Sequence, residues 1–217
     1  SVPTQSILFN IDIEGPLTKD KTAVLRVFAK MFYNHCGFYG DDLKIAKLER
    51  FIEKQGKTQQ FREAFEKVNG APWTETRDSF AFFEDDIVSV LQSTLGMSEQ
   101  AARNWFNGEE TNELSIAQLV ADIQEYVDGK GKDFRLLFMV DEVGQYIGDD
   151  GDLMINLQSL VEEIGIRCHG KVWVMVTSQE AIDSVVHITG NDFSKIQGRF
   201  NTRLSLSSSS VDEVIKK

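Results

Sequence analysis

The apolar positions of this chain follow two rhythms. Apolar-rich segments occur at Ser6–Ile11 and Lys171–Val176, and an unbroken apolar run at Leu136–Val140. Runs of this length, rich in bulky residues and ended by turn or polar residues, predict strands buried on both faces of a parallel sheet. Between the first and second runs the spacing changes to that of helices. Ala23, Val24, Val27, Phe28, Met31 and Phe32 mark a helix from Asp20 to about Asn34. Ile45, Leu48, Phe51 and Ile52 mark a second over Asp41–Gln55, and Phe61, Ala64, Phe65 and Val68 a third over Gln59–Val68. Pro72-Trp73 breaks the pattern, and Ser79–Leu95 resumes it, with Phe80–Phe83 compatible with either helix or strand. Ser98 begins a short helix carrying Ala101, Ala102, Trp105 and Phe106. Ser115-Ile116-Ala117-Gln118 has the form of a capping box opening a helix through Val127.

Beyond the second run the rhythms alternate. A helix over Leu153–Ile164 ends at Gly165, and the third strand leads at Thr177–Glu180 into a helix through Val186. A short helix over Asp192–Phe200, a strand over Thr202–Leu206 and a helix from Val211 complete the pattern. Strand–helix alternation argues for an α/β fold with a parallel sheet flanked by helices. Three parts follow: residues 1–16 hold the first core strand, 17–130 a large all-helical insertion, and 131–217 the rest of the core.

Chemistry enters at the second strand, which runs straight into Asp141-Glu142. Acids at the carboxyl end of a buried strand stand where open α/β sheets bind ligands. This is the form of a Walker B motif, in which the Asp holds Mg²⁺, here through water, and a following Glu activates the attacking water. The third strand ends in Thr177-Ser178-Gln179. A polar residue there could sense a γ-phosphate: Ser178 or Gln179, with Thr177 as a rival, while helix capping explains Thr177 or Ser178 equally well. Arg199, in Gly198-Arg199-Phe200, is a candidate finger toward a neighbouring subunit's phosphate, with Arg203 second. A metal nuclease built on Asp12, Glu14, Asp141 and Glu142 is a separate reading that needs the four acids to converge.

No phosphate-binding loop of the form G-x-x-x-x-G-K-[ST] is present. Gly56-Lys57-Thr58 matches only the tail, and Phe51 stands where the first glycine belongs. The chain opens almost directly on a strand and closes inside a helix, so the expectation is an internal piece whose loop lies upstream of Ser1. Composition narrows the partners. A net charge of −11 argues against coating a phosphate backbone. Two cysteines without metal-ligand spacing fit a reducing compartment. No apolar run reaches membrane-spanning length.

The segments LLFMVDEVGQYIG, LMINLQSLVEEIG, GKVWVMVTSQEAID and DFSKIQGRFNTRLSLSSSSVDEVI, with SILFNIDIEG and the AKLERFIEKQG region upstream, resemble the P-loop ATPase of the BREX bacteriophage-exclusion system. They are also similar to its relative in phage growth limitation systems. The resemblance implies a partial P-loop NTPase core of the AAA+ type, with Asp141 and Glu142 as Walker B, Ser178 or Gln179 as sensor and Arg199 as finger. Thr177 and Arg203, candidates from the reading of the residues above, stand beside these as further nucleotide-side residues. It implies ATP and Mg²⁺ as cofactors of the intact protein, neither bound by this piece alone. It also implies a cytoplasmic bacterial defence complex with a DNA methyltransferase and other BREX-type proteins, with DNA contact and self-association as candidates. The alternative within the same system is a scaffolding module without turnover.

Overall fold

The computed structural model describes residues 2–16, 18–107, 113–178 and 202. Three parallel strands form one sheet in the order β1 (Thr4–Asn10), β2 (Arg135–Asp141), β3 (Val172–Val176). Ten helices accompany them among the described residues: α1 (Ile11–Glu14), α2 (Ala23–His35), α3 (Leu43–Lys54), α4 (Thr58–Asn69), α5 (Trp73–Thr76), α6 (Glu84–Leu95), α7 (Glu99–Asn107), α8 (Ile116–Gly129), α9 (Val143–Ile147) and α10 (Gly151–Arg167). The ambiguous Phe80–Phe83 stretch resolves as helical: Arg77–Phe82 is a 3-10 segment leading into α6. The break expected at Pro72-Trp73 is present: α4 ends at Asn69 before the left-handed Gly70, and Pro72 then precedes the single turn of α5, where a proline withholds no needed donor.

Helix starts follow local chemistry. Ser115 caps α8 by accepting from the Gln118 amide. The reciprocal half of the expected box does not form, because the Gln118 side chain bonds Asp122 one turn on, at 2.9 Å. Gly165 does not stop α10, which continues to Arg167. Gly56-Lys57 links α3 to α4, which Thr58 opens, so a helix and not a strand precedes the loop and the strand–loop–helix setting of a phosphate loop is missing there.

Two apolar clusters divide the described residues. One joins the sheet to α2, α8, α9 and α10 around Phe28, Phe32, Ile123, Phe138 and Leu160. The other lies within α3–α7 around Leu48, Phe61, Phe65, Trp73 and Leu91. Helix α3 is the shared wall: Ala46 faces the first cluster, while Ile45, Leu48 and Ile52 face the second.

The expectation of strands covered on both sides is corrected. On β2 burial alternates: Leu136, Phe138 and Val140 are buried, whereas Leu137 and Met139 are only half-buried. Strand pairing aligns these two with Leu8 and Met175 and with Trp173 on their neighbours. Leu8, Trp173 and Met175 are 69%, 62% and 49% exposed. The reason is topological. Both steps, β1 to β2 and β2 to β3, run the same way across the sheet, so right-handed crossovers place the intervening helices on one side.

Candidate functional site

The carboxyl ends of the three strands bring together Asn10, Asp141 and Thr177. Asn10 pairs with Asp141 in strand register. Its side chain faces the other way in function: Oδ1 accepts from the Asp12 and Ile13 amides and caps α1. Asn10 was absent from the sequence-derived candidates, although an Asn directly before an acidic turn is itself a cap signal.

Asp141 and Thr177 are joined directly. The Thr177 hydroxyl donates to Asp141 Oδ1. The same oxygen accepts the Glu142 amide at 3.1 Å. Among the described residues no hydrogen bond reaches the second oxygen, Oδ2. The backbone is irregular at this point. Thr177 N donates to Val140 O at 2.9 Å, and Val143 N donates to Thr177 O at 3.1 Å. A regular parallel ladder would use the Glu142 amide for the second bond. One residue is therefore inserted opposite Thr177, which is a bulge, and Glu142 carries the bend with φ 63 and ψ 27. A left-handed glutamate is uncommon, and backbone outliers of this kind gather at functional positions. Glu142 also opens α9, its carbonyl accepting from the Tyr146 amide at 3.1 Å.

Ser178 follows at the same edge with its hydroxyl buried and unpartnered among the described residues. Asp141, at the end of β2, and Ser178, two residues past the end of β3, thus lie at one rim, joined through Thr177. Gln179, Arg199 and Arg203 lie outside the described residues.

The floor beside the acids is a tight contact between α1 and α9. Tyr146 is buried, and a Cβ on Gly15 would stand 2.7 Å from its ring and 2.7 Å from Ile11 O, so only glycine fits there. The Lys19 ammonium lies 4.1 Å from the centre of the Tyr146 ring and donates to its backbone carbonyl at 3.1 Å. Burial, followed by the charges of Asp12 and Asp20, pushes the Tyr146 phenol up from its ordinary range.

Metal-binding capacity is limited. Asp12 pairs with Lys19 at 3.8 Å and Glu14 with Lys30 at 2.8 Å. Among the described residues no three His, Cys, Asp or Glu side chains are grouped to hold an ion. The four acids of the nuclease reading therefore do not form a joint site. One carboxylate with an oxygen that no described residue bonds fits a different arrangement, an ion held through water and by phosphate oxygens, which is how Mg²⁺ is usually bound beside nucleotides.

No family model and no solved structure matches the chain. Among the described residues no helix is long and apolar enough to cross a membrane.

Proposed function

We propose that this chain carries the Walker B half of an AAA+-like P-loop ATPase core that serves a bacterial anti-phage complex of the BREX type. The observation that supports the reading most is the pairing of Asp141-Glu142 with Thr177-Ser178 at one rim of a parallel sheet. Asp141 would hold Mg²⁺ through water with Oδ2. Glu142, at the bend, would take the proton of the attacking water. Ser178 or Gln179 would contact the γ-phosphate, and Arg199, or Arg203 in its place, would reach a neighbouring subunit. The Mg²⁺ supplies charge neutralisation on the phosphates when bound. The reading requires a phosphate cradle, and no glycine-rich loop of that form stands among these 217 residues. Work done by the motor would remodel or assemble a cytoplasmic defence complex on DNA, alongside a DNA methyltransferase.

The test is ATP hydrolysis by the chain extended upstream to include a glycine-rich loop, compared with its Glu142→Gln variant. Loss of a general base costs on the order of 100-fold or more in turnover. Equal turnover in the variant would remove Glu142 from the chemistry. Full phage resistance in cells carrying Glu142→Gln would favour the scaffolding role over the motor.

A further inference from the structure

The acid pair is held from outside its own strand, and the residue that holds it is Thr177. Three bonds converge there. Its amide donates to Val140 O, its carbonyl accepts from Val143 N, and its hydroxyl donates to Asp141 Oδ1. The first two bracket Asp141-Glu142 and hold the bulge open. The third, together with the Glu142 amide, occupies Oδ1, and among the described residues no hydrogen bond reaches Oδ2. The bend at Glu142 would otherwise be costly, since left-handed backbone is disfavoured for any residue but glycine. Pairing on both sides of it keeps that conformation in place.

We infer that Thr177 is the positioning residue of the acid pair: its backbone sets the direction of Glu142, and its hydroxyl sets which Asp141 oxygen faces a metal-bound water. This rests on the ATPase reading for the identity of that water, but not for the contact itself. It differs from a sensor role, in which the same hydroxyl would turn to phosphate. A hydroxyl committed to Oδ1 has one proton, and that proton is already used.

The experiment compares Thr177→Val, which keeps the branched shape and the backbone but removes the donor, with Thr177→Ser, which restores the donor. Two readouts separate the contact from the chemistry. The first is nuclear magnetic resonance of the 217-residue chain. The Asp141 side-chain carboxyl carbon and the Glu142 amide should shift in Thr177→Val and return toward wild type in Thr177→Ser. The Val172–Val176 amides should stay in place in both and so report an intact sheet. No shift at Asp141 would overturn the inference without any reference to ATP. The second is turnover by the upstream-extended protein. In Thr177→Val the Mg²⁺ concentration for half-maximal rate should rise about tenfold, the scale of one hydrogen bond to a charged group, with KM for ATP unchanged. A raised KM for ATP at unchanged Mg²⁺ dependence would make Thr177 a phosphate contact and overturn the positioning role. Absence of turnover in the wild-type protein would instead overturn the ATPase reading, and the resonance shifts would still decide the role of Thr177.

Discussion

Arg50 on α3 forms an ion pair with Asp122 on α8 at 2.9 Å, and this pair ties the helical module to the sheet layer. Asp122 is almost fully buried and also accepts from the Tyr33 hydroxyl at 2.8 Å and from Gln118. Glu125, one turn on, takes Arg50 and Lys54. Burial first, and then the Asp122 charge, push the Tyr33 phenol far above its usual range, so it stays a donor throughout the accessible pH range.

Removing Asp122 leaves the buried Tyr33 phenol without its acceptor and Arg50 with only Glu125. Asp122→Ala is therefore expected to lower stability by about 3–5 kcal/mol. Urea denaturation followed by circular dichroism measures this. A loss under about 1 kcal/mol would mean that water replaces the carboxylate and that the seam is open.

The helical module has its own buried acid. Glu49 accepts from the Tyr39 amide, from Trp73 Nε1 at 2.7 Å and from Arg77 at 2.9 Å. Trp73 also packs edge-on against Phe61 and Phe65. Trp73→Phe keeps most of that packing and removes one donor, so a cost of about 1–3 kcal/mol is expected. Trp73→Ala adds a cavity and should cost about 3–5 kcal/mol. Equal losses in the two variants would show that packing contributes little and the indole N–H nearly everything.

Glu142 gives a backbone test. Glycine relieves a left-handed bend and alanine does not, while both remove the carboxylate. Glu142→Gly should be about 1–2 kcal/mol more stable than Glu142→Ala. Thermal unfolding of the two variants side by side decides it. Alanine equal to or above glycine would mean that the bend is not retained in solution.

Acid sensitivity should centre on His35. Its Nε2 lies 3.1 Å from Gln5 Oε1 and 3.2 Å from the Tyr126 hydroxyl, while the Lys130 ammonium sits over the Tyr126 ring. Burial, then the Lys130 charge, hold its pKa below the ordinary 6.5. The unfolded chain thus binds this proton first as pH falls. The neutral ring contributes its full stability above about 6.5, and that contribution is lost as pH drops through the folded value. The melting temperature should fall more steeply below pH 6.5 in wild type than in His35→Gln. Parallel slopes would move the acid sensitivity to other groups.

Much of this was legible in the residues. Leu136–Val140 followed by two acids identified a strand and the place where it ends, because an unbroken apolar run fits a sheet and adjacent carboxylates do not extend a core. Ile45, Leu48 and Ile52 announced α3 by spacing alone. The bulge at Glu142 was not legible, since it exists only through Thr177, which lies 35 positions further along the chain. Helix α9 was missed because Val143–Ile147 is too short for a period to show. The half-covered state of β2 was missed for another reason. LLFMV reads the same whether one or both sides are packed, and strand order, not composition, decides that.

Strand order also governs how this domain can be finished. A polypeptide that always steps in one direction across its sheet builds a lining on one side only, whatever its apolar content. Among the described residues, Leu8, Trp173 and Met175 therefore stand exposed beside the half-buried Met139, on a face that no described helix covers and that runs up to the acid rim. Roofing it takes a stretch of backbone travelling in the opposite sense, or another molecule, and either would arrive beside Asp141.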